Sequence, residues 1–258
     1  MEKLQFLSMI FKNFIHSYCI HEKYIYIYIG VCNLIIPIYI NNFNWLTSTK
    51  AMVEYFQSIS YVEPIIVDNA STYPPLLSWY ETNPCKIIRL LNNCGHRAPW
   101  EQGCVLWAHT HKVIFGSNYY AVTDPDLDFT DVPKDLVYEC IEGLKIFPEA
   151  NKCGMALRID DLPPNERTKK IIEWENHFWE HPINDRFFHA DIDTTFAVYK
   201  CERLHSLAIK VGPSVRTNFP YVAKHLPWYY IGGNCELNDE QKYYFSTCDR
   251  SVNTYRPN

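Results

Sequence analysis

Nowhere do two of the chain's ten cysteines form a C-x-x-C pair, and they are scattered from Cys19 to Cys248. That spacing excludes a zinc framework and a dense disulfide scaffold, and it reads as mostly reduced thiols in a cytosol-like compartment. Surplus positive charge is also missing. The formal net charge of -5 gives no global pull toward nucleic acid or an anionic membrane, so no nucleic-acid partner is expected. There is no internal repeat and no low-complexity linker, and 258 residues suffice for one ordinary domain with a sizeable core. A clean membrane span is lacking too. Residues 4–20 carry Lys12, Asn13 and His16, and the apolar run 24–40 is broken by Asn33 and Pro37, whereas a span needs about 20 apolar residues in a row. No small-residue secretory cleavage site follows. Residues 1–33 therefore read as an N-terminal extension to a cytoplasmic domain at 34–258, with membrane-surface association as the alternative role for that extension.

What is present is alternation. LIIPIYINN (34–42) has the β-rich, continuously apolar look of a buried strand. TSTKAMVEYFQSI (47–59) follows as a helix, and EPIIVDNAS (63–71) as a second strand ending in polar residues. A helix over 73–83 starts on prolines, where their missing N–H does no harm. Next come a strand at 86–93, a helical region at 98–111, a strand at 118–129 and a helix at 131–148. A strand at 152–163, a polar helix at 166–180 and a strand at 193–200 complete the series. Residues 212–230 lack a regular period and hold three prolines, so they read as a loop with short helical turns. Strict alternation predicts an α/β fold, a mostly parallel sheet flanked by helices, with ligands at the carboxyl ends of the strands.

Polar residues collect at those ends: Asn41 and Asn42 after the first strand, Asp68 and Asn69 after the second, Asp124-Pro125-Asp126 after the fourth. Two carboxylates one residue apart can ligate a hard cation and leave positions for diphosphate oxygens. Asp128 extends the run to D-x-D-x-D, but Phe129 stands where a calcium loop needs glycine and Asp135 where it needs glutamate. His109 and His111 lie two apart in a predicted helix, where side chains face away from each other, which argues against a zinc hydrolase.

An acidic residue after strand two followed by D-x-D after strand four resembles the GT-A (Rossmann-like) glycosyltransferases, particularly the small family-2-like enzymes. The likeness spans residue 34 to about 230 and rests on IPIYINNFNWL, IIVDNASTYPPLL, YYAVTDPDLDF, GMALRIDDLP, DTTFAVYK and VAKHLPWYY. It implies a nucleotide-sugar donor, with UDP favoured, and a glycan or other hydroxyl acceptor. Under it, Asn41, Asp68 and Asn69 hold the nucleotide, and Asp124 and Asp126 hold Mn²⁺ or Mg²⁺ with His225 completing the site. Arg216 and Lys224 pair with phosphates as the 212–230 segment closes over the donor. One departure stands out: no Glu-Asp pair follows DTTFAVYK to supply the base toward the acceptor. Asp160 and Asp161, or Asp191 and Asp193, are the substitutes. Two rival readings are a non-catalytic glycan-binding module on the same fold and a sugar nucleotidyltransferase. The latter normally has a glycine-rich, basic loop after strand one, and INNFNWL has neither feature.

Overall fold

A computed structural model describes residues 35–83, 85–106, 117–201, 213–230 and 236–248. The N-terminal extension 1–33, together with His109 and His111, lies outside the described residues.

β1 (Ile36–Asn42) is buried at every position, as expected of a strand covered on both faces. Ile36, Ile38 and Ile40 point into one apolar cluster and Tyr39 into another on the opposite face. α1 (Thr47–Gln57) packs Met52, Val53 and Phe56 on the first face, with the spacing of a helix stripe. β2 (Val62–Asp68) and β3 (Lys86–Arg89) lie parallel beside β1, separated by α2 (Pro74–Thr82), which does begin on its two prolines. After the short helix α3 (Ala98–Glu101), β4 (Tyr119–Thr123) pairs parallel to β1 on its other side.

From there the expected pattern changes. The strand predicted over 118–129 breaks at Asp124-Pro125-Asp126 into β4 and the short β5 (Leu127–Asp128). α4 (Leu136–Ile146) follows, and the strand predicted over 152–163 is likewise two pieces, β6 (Lys152–Gly154) and β7 (Ala156–Leu157). α5 (Glu166–Glu175) starts on a capping box made by Asn165 and Thr168 and ends in a 3-10 turn, Asn176–Trp179. Then come β8 (Phe187–His189) and β9 (Ala197–Lys200). The segment read as a loop is built mainly of strands: β10 (Ser214–Thr217), β11 (Val222–His225) and the short helix α6 (Leu226–Tyr230). Its prolines fall outside the strands, Pro213 before β10, Pro220 between β10 and β11 and Pro227 in α6, where no ladder donor is lost. α7 (Asp239–Thr247) was not foreseen.

The main sheet has the order β3-β2-β1-β4-β9-β6-β10-β8. β9 opposes both β4 and β6, and β8 opposes β10, while the other pairs are parallel. The six strands β3, β2, β1, β4, β6 and β10 thus share one direction, so the fold is α/β with a mostly parallel sheet flanked by helices. β5, β11 and β7 form a second, three-stranded sheet beyond the break. Gly154 is required at the turn from β6 to β7, because a Cβ there would stand 2.3 Å from the Phe196 carbonyl.

Candidate active site

The loops after β1 and β2 are locked together. Asn44 is left-handed (φ 57°), a conformation that Asn tolerates, and its Oδ1 accepts from Thr72 N at 2.7 Å and Tyr73 N at 2.9 Å. Its own N–H donates to Ser71 Oγ. Asp68, fully buried at the end of β2, accepts from Tyr80 Oη (3.2 Å) and from Arg89 Nε (3.1 Å), and Tyr80 Oη in turn accepts from Asn42. Asn69 accepts from Cys94 N at 2.7 Å and donates to Gly95 O at 2.8 Å. Asn41 donates weakly to the Gly95 and His96 carbonyls at 3.4 Å. The expected nucleotide-end residues Asn41, Asp68 and Asn69 therefore lie side by side, and they hold the turn after β3 against the ends of β1 and β2.

One strand over is the break after β4. Asp124 is half-buried, and Thr194 Oγ1 donates to its Oδ2 at 2.5 Å. Burial raises the Asp124 carboxyl well above the usual carboxylate range, and the charges of Asp126 and Asp193 push it further. β5 pairs with β11 in the register His225↔Leu127, and Leu226 N donates to Asp126 O at 2.8 Å. That register places His225 Nε2 3.4 Å from Asp126 Oδ2. Asp126 Oδ1 is buried with no hydrogen-bond partner among the described residues. A lone buried carboxylate oxygen close in sequence to another carboxyl, Asp124, that is held above its usual range is an arrangement that a cation relieves. The donors also suit a hard divalent ion, two carboxylates and an imidazole. Among the described residues no three His, Cys, Asp or Glu side chains are drawn in as a ready-made cluster: Asp126 and His225 touch, whereas Asp124 is tied to Thr194.

The remaining expected site residues separate. Arg216 is not at a phosphate position. It is 3% exposed, ion-paired with Glu175 and stacked over Phe178 at 3.9 Å. Lys224 precedes His225 on β11 and binds Asp161 Oδ2 at 2.8 Å. Burial alone would raise Asp161, but the bonds from Lys224 and Tyr229 and the charge of Arg158 hold it below the usual range. Asp161 is thus a poor proton acceptor. Asp191 and Asp193 are exposed, and Asp193 lies near enough to Asp124 to act on its ionisation. Of the four expected base candidates, only Asp193 is among the charges that act on Asp124 of the D-x-D.

Two contributors carry no sequence signal. Thr194 looks like any strand-leading threonine. Glu240, from α7, caps α1: its carboxylate accepts from Leu46 N (2.5 Å), Thr47 N (2.9 Å) and Thr47 Oγ1 (2.5 Å). α7 also lays Tyr244 against Trp45, ring centroids 4.6 Å apart, and Tyr243 Oη on Thr72 O at 3.0 Å. A cavity of about 530 Å³ opens on the α1 side, lined by Trp45, Tyr55, Asp128, Tyr230 and Glu240 among others. It borders the D-x-D through Leu127 but does not contain it.

No protein-family model matches the chain, and no curated protein matches its sequence. Solved structures similar to it include glucosyl-3-phosphoglycerate synthase from Mycobacterium tuberculosis with Mn²⁺, UDP and phosphoglyceric acid. That likeness is at 11% identity and a TM-score of 0.38, covering 67% of this chain and 61% of that one. Another is 4-diphosphocytidyl-2C-methyl-D-erythritol synthase from Anaerococcus prevotii, at 10% identity and a TM-score of 0.39, covering 83% of this chain and 82% of that one. The chain thus spans about 61% of the length of the synthase chain described first. No helix among the described residues is long and apolar enough to cross a membrane.

Proposed function

We propose that the chain is a metal-dependent glycosyltransferase that moves a sugar from a nucleoside-diphosphate donor, UDP favoured, to a hydroxyl of a glycan or other acceptor. The observation that carries this reading is the buried Oδ1 of Asp126, which has no hydrogen-bond partner among the described residues, on a carboxylate whose other oxygen meets His225 and whose charge helps raise Asp124. Asp124, Asp126 and His225 would hold Mn²⁺ or Mg²⁺. When bound, such an ion neutralises the charge that builds on a departing diphosphate.

The chain's own residues do the rest. Asp68, with Tyr80 and Arg89 on its two oxygens, marks the nucleoside end of the row of strand ends, and Asn41 and Asn69 fix the turn beside it. Thr194 orients Asp124 through its hydroxyl. Asp193, exposed on the same segment, accepts the proton of the attacking hydroxyl, with Asp191 two residues away as the alternative. Asp161 leaves this role because Lys224, Tyr229 and Arg158 stabilise its charge. Arg216 and Lys224 leave the phosphate role because both are ion-paired elsewhere.

A nucleotidyltransferase reading is disfavoured by a specific contact. The N-terminus of a helix after the first strand is the natural phosphate seat in such sheets. Here the Glu240 carboxylate occupies the α1 N-terminus. The test is a screen of nucleotide sugars for Mn²⁺-dependent nucleotide release. Release from a UDP-sugar that needs the ion and is lost in Asp126→Asn is the expected result. Metal-independent release, or turnover of a nucleoside triphosphate with a sugar phosphate instead, contradicts the reading.

A further inference from the structure

Between β8 and β9 the chain leaves the sheet as residues 190–196 and carries Asp191, Asp193 and Thr194 past the D-x-D. Three successive carbonyls of this segment accept from three side chains beneath them. Ser214 Oγ donates to Ala190 O at 3.0 Å, Arg216 Nε to Asp191 O at 2.7 Å, and Lys152 Nζ to Ile192 O. The donors come from one patch of the sheet. β6 and β10 pair in the register Ser214↔Lys152 and Arg216↔Gly154, so Lys152, Gly154, Ser214 and Arg216 are neighbours on one face. At the fourth position a Cβ would meet Ile192 Cδ1 at 3.0 Å as well as the Phe196 carbonyl, so the glycine lets the segment come down onto the strands.

The arrangement is costly. Lys152, Ser214 and Arg216 are each 3% exposed, and buried cations are disfavoured against apolar residues of similar size unless they are well bonded. Burial lowers the Lys152 ammonium to about 8, against the pull of Asp193 and Asp191. Ile192, between the two exposed aspartates, is buried in the sheet's apolar cluster. Its side chain and the three clamped carbonyls together leave the segment little freedom to shift.

We propose that Lys152, Ser214 and Arg216 are positioning residues, a buried donor cradle that fixes Asp193 and Thr194 against Asp124 for the acceptor step. This rests on the glycosyltransferase reading, in which Asp193 serves the acceptor and Asp124 the donor. The cradle touches neither ligand, so its loss acts on the chemical step and leaves donor binding alone. Lys152→Met keeps length and removes the donor. It should lower kcat by about 10–100-fold, the scale of a small misplacement of a reacting group. The donor KM and the Mn²⁺-dependent affinity for UDP should stay within about two-fold. Ser214→Ala, a milder change, should lower kcat several-fold in the same pattern.

Amide exchange across 190–194 is read in parallel and does not depend on activity. It should quicken in both variants. Unchanged exchange there overturns the cradle, whatever the activity. Quicker exchange with unchanged kcat, or a rise in donor KM at constant kcat, overturns its positioning role. Wild-type protein that shows no metal-dependent UDP binding removes the glycosyltransferase reading instead, and the exchange result then stands alone on whether the cradle holds the segment.

Discussion

Thr194 Oγ1 donates to Asp124, burial is the largest cause of its raised carboxyl, and the charges of Asp126 and Asp193 add to it. A carboxyl whose folded pKa lies above its unfolded value opposes folding once ionised. The penalty is absent at low pH and grows as pH rises from the unfolded value, about 3.9, toward the folded one. Asp124→Asn should therefore raise the melting temperature of the metal-free protein by a few degrees at pH 7 and leave it unchanged near pH 3. Mn²⁺ should reverse the order by stabilising wild type more than the variant. A thermal-shift series over pH, with and without Mn²⁺, checks both signs. His225→Ala should weaken Mn²⁺ binding about 10-fold, read by calorimetry. The carboxylates were legible in the sequence because a strand end followed by D-x-D carries its own chemistry. His225 was legible only through the family resemblance, and its contact with Asp126 depends on a strand register that sequence does not reveal. Arg216 and Lys224 looked like phosphate ligands because a basic side chain in sequence says nothing about an acid elsewhere in the chain. Glu175 and Asp161 are those acids.

At the scale of elements, the first half of the sheet was readable because each buried parallel strand is a continuous apolar run bounded by polar residues. The second half was not. β6, β7 and β11 are two to four residues long, and 214–225 mixes Arg, Lys and His with apolar positions that serve two different sheets. α7 was missed because its DEQKYYFST stretch has no apolar stripe, and its aromatic side chains meet the loops after β1 and β2. Its Glu240 supplies the cap that Leu46 cannot. Glu240→Ala should cost about 1–2 kcal/mol, as loss of a helix N-cap does, measured by denaturant unfolding. An equal loss in Glu240→Gln would show that charge at the helix end, and not hydrogen bonding alone, is what stabilises α1. Gly154→Ala should cost about 1–3 kcal/mol through overpacking against the Phe196 carbonyl.

Across the whole molecule, β2, β1 and β4 are neighbours in the sheet, and their carboxyl ends carry the Asp68 network and the D-x-D side by side. β11 pairs with β5 beside Asp126, and the 190–196 segment brings Thr194 to Asp124. Every part of that arrangement has a local cause: Asn44 locks the first two loops, Asp124-Pro125-Asp126 breaks β4, and Lys152, Ser214 and Arg216 seat the 190–196 segment. In the proposed function these strand ends take a nucleoside diphosphate together with a divalent ion held by Asp126. Calorimetric titration of UDP tests it most directly, performed with Mn²⁺, with chelator, and on Asp126→Asn with Mn²⁺. Binding is expected in the first case, with a loss of about 10-fold or more in the other two. Equal UDP affinity under all three conditions would contradict it.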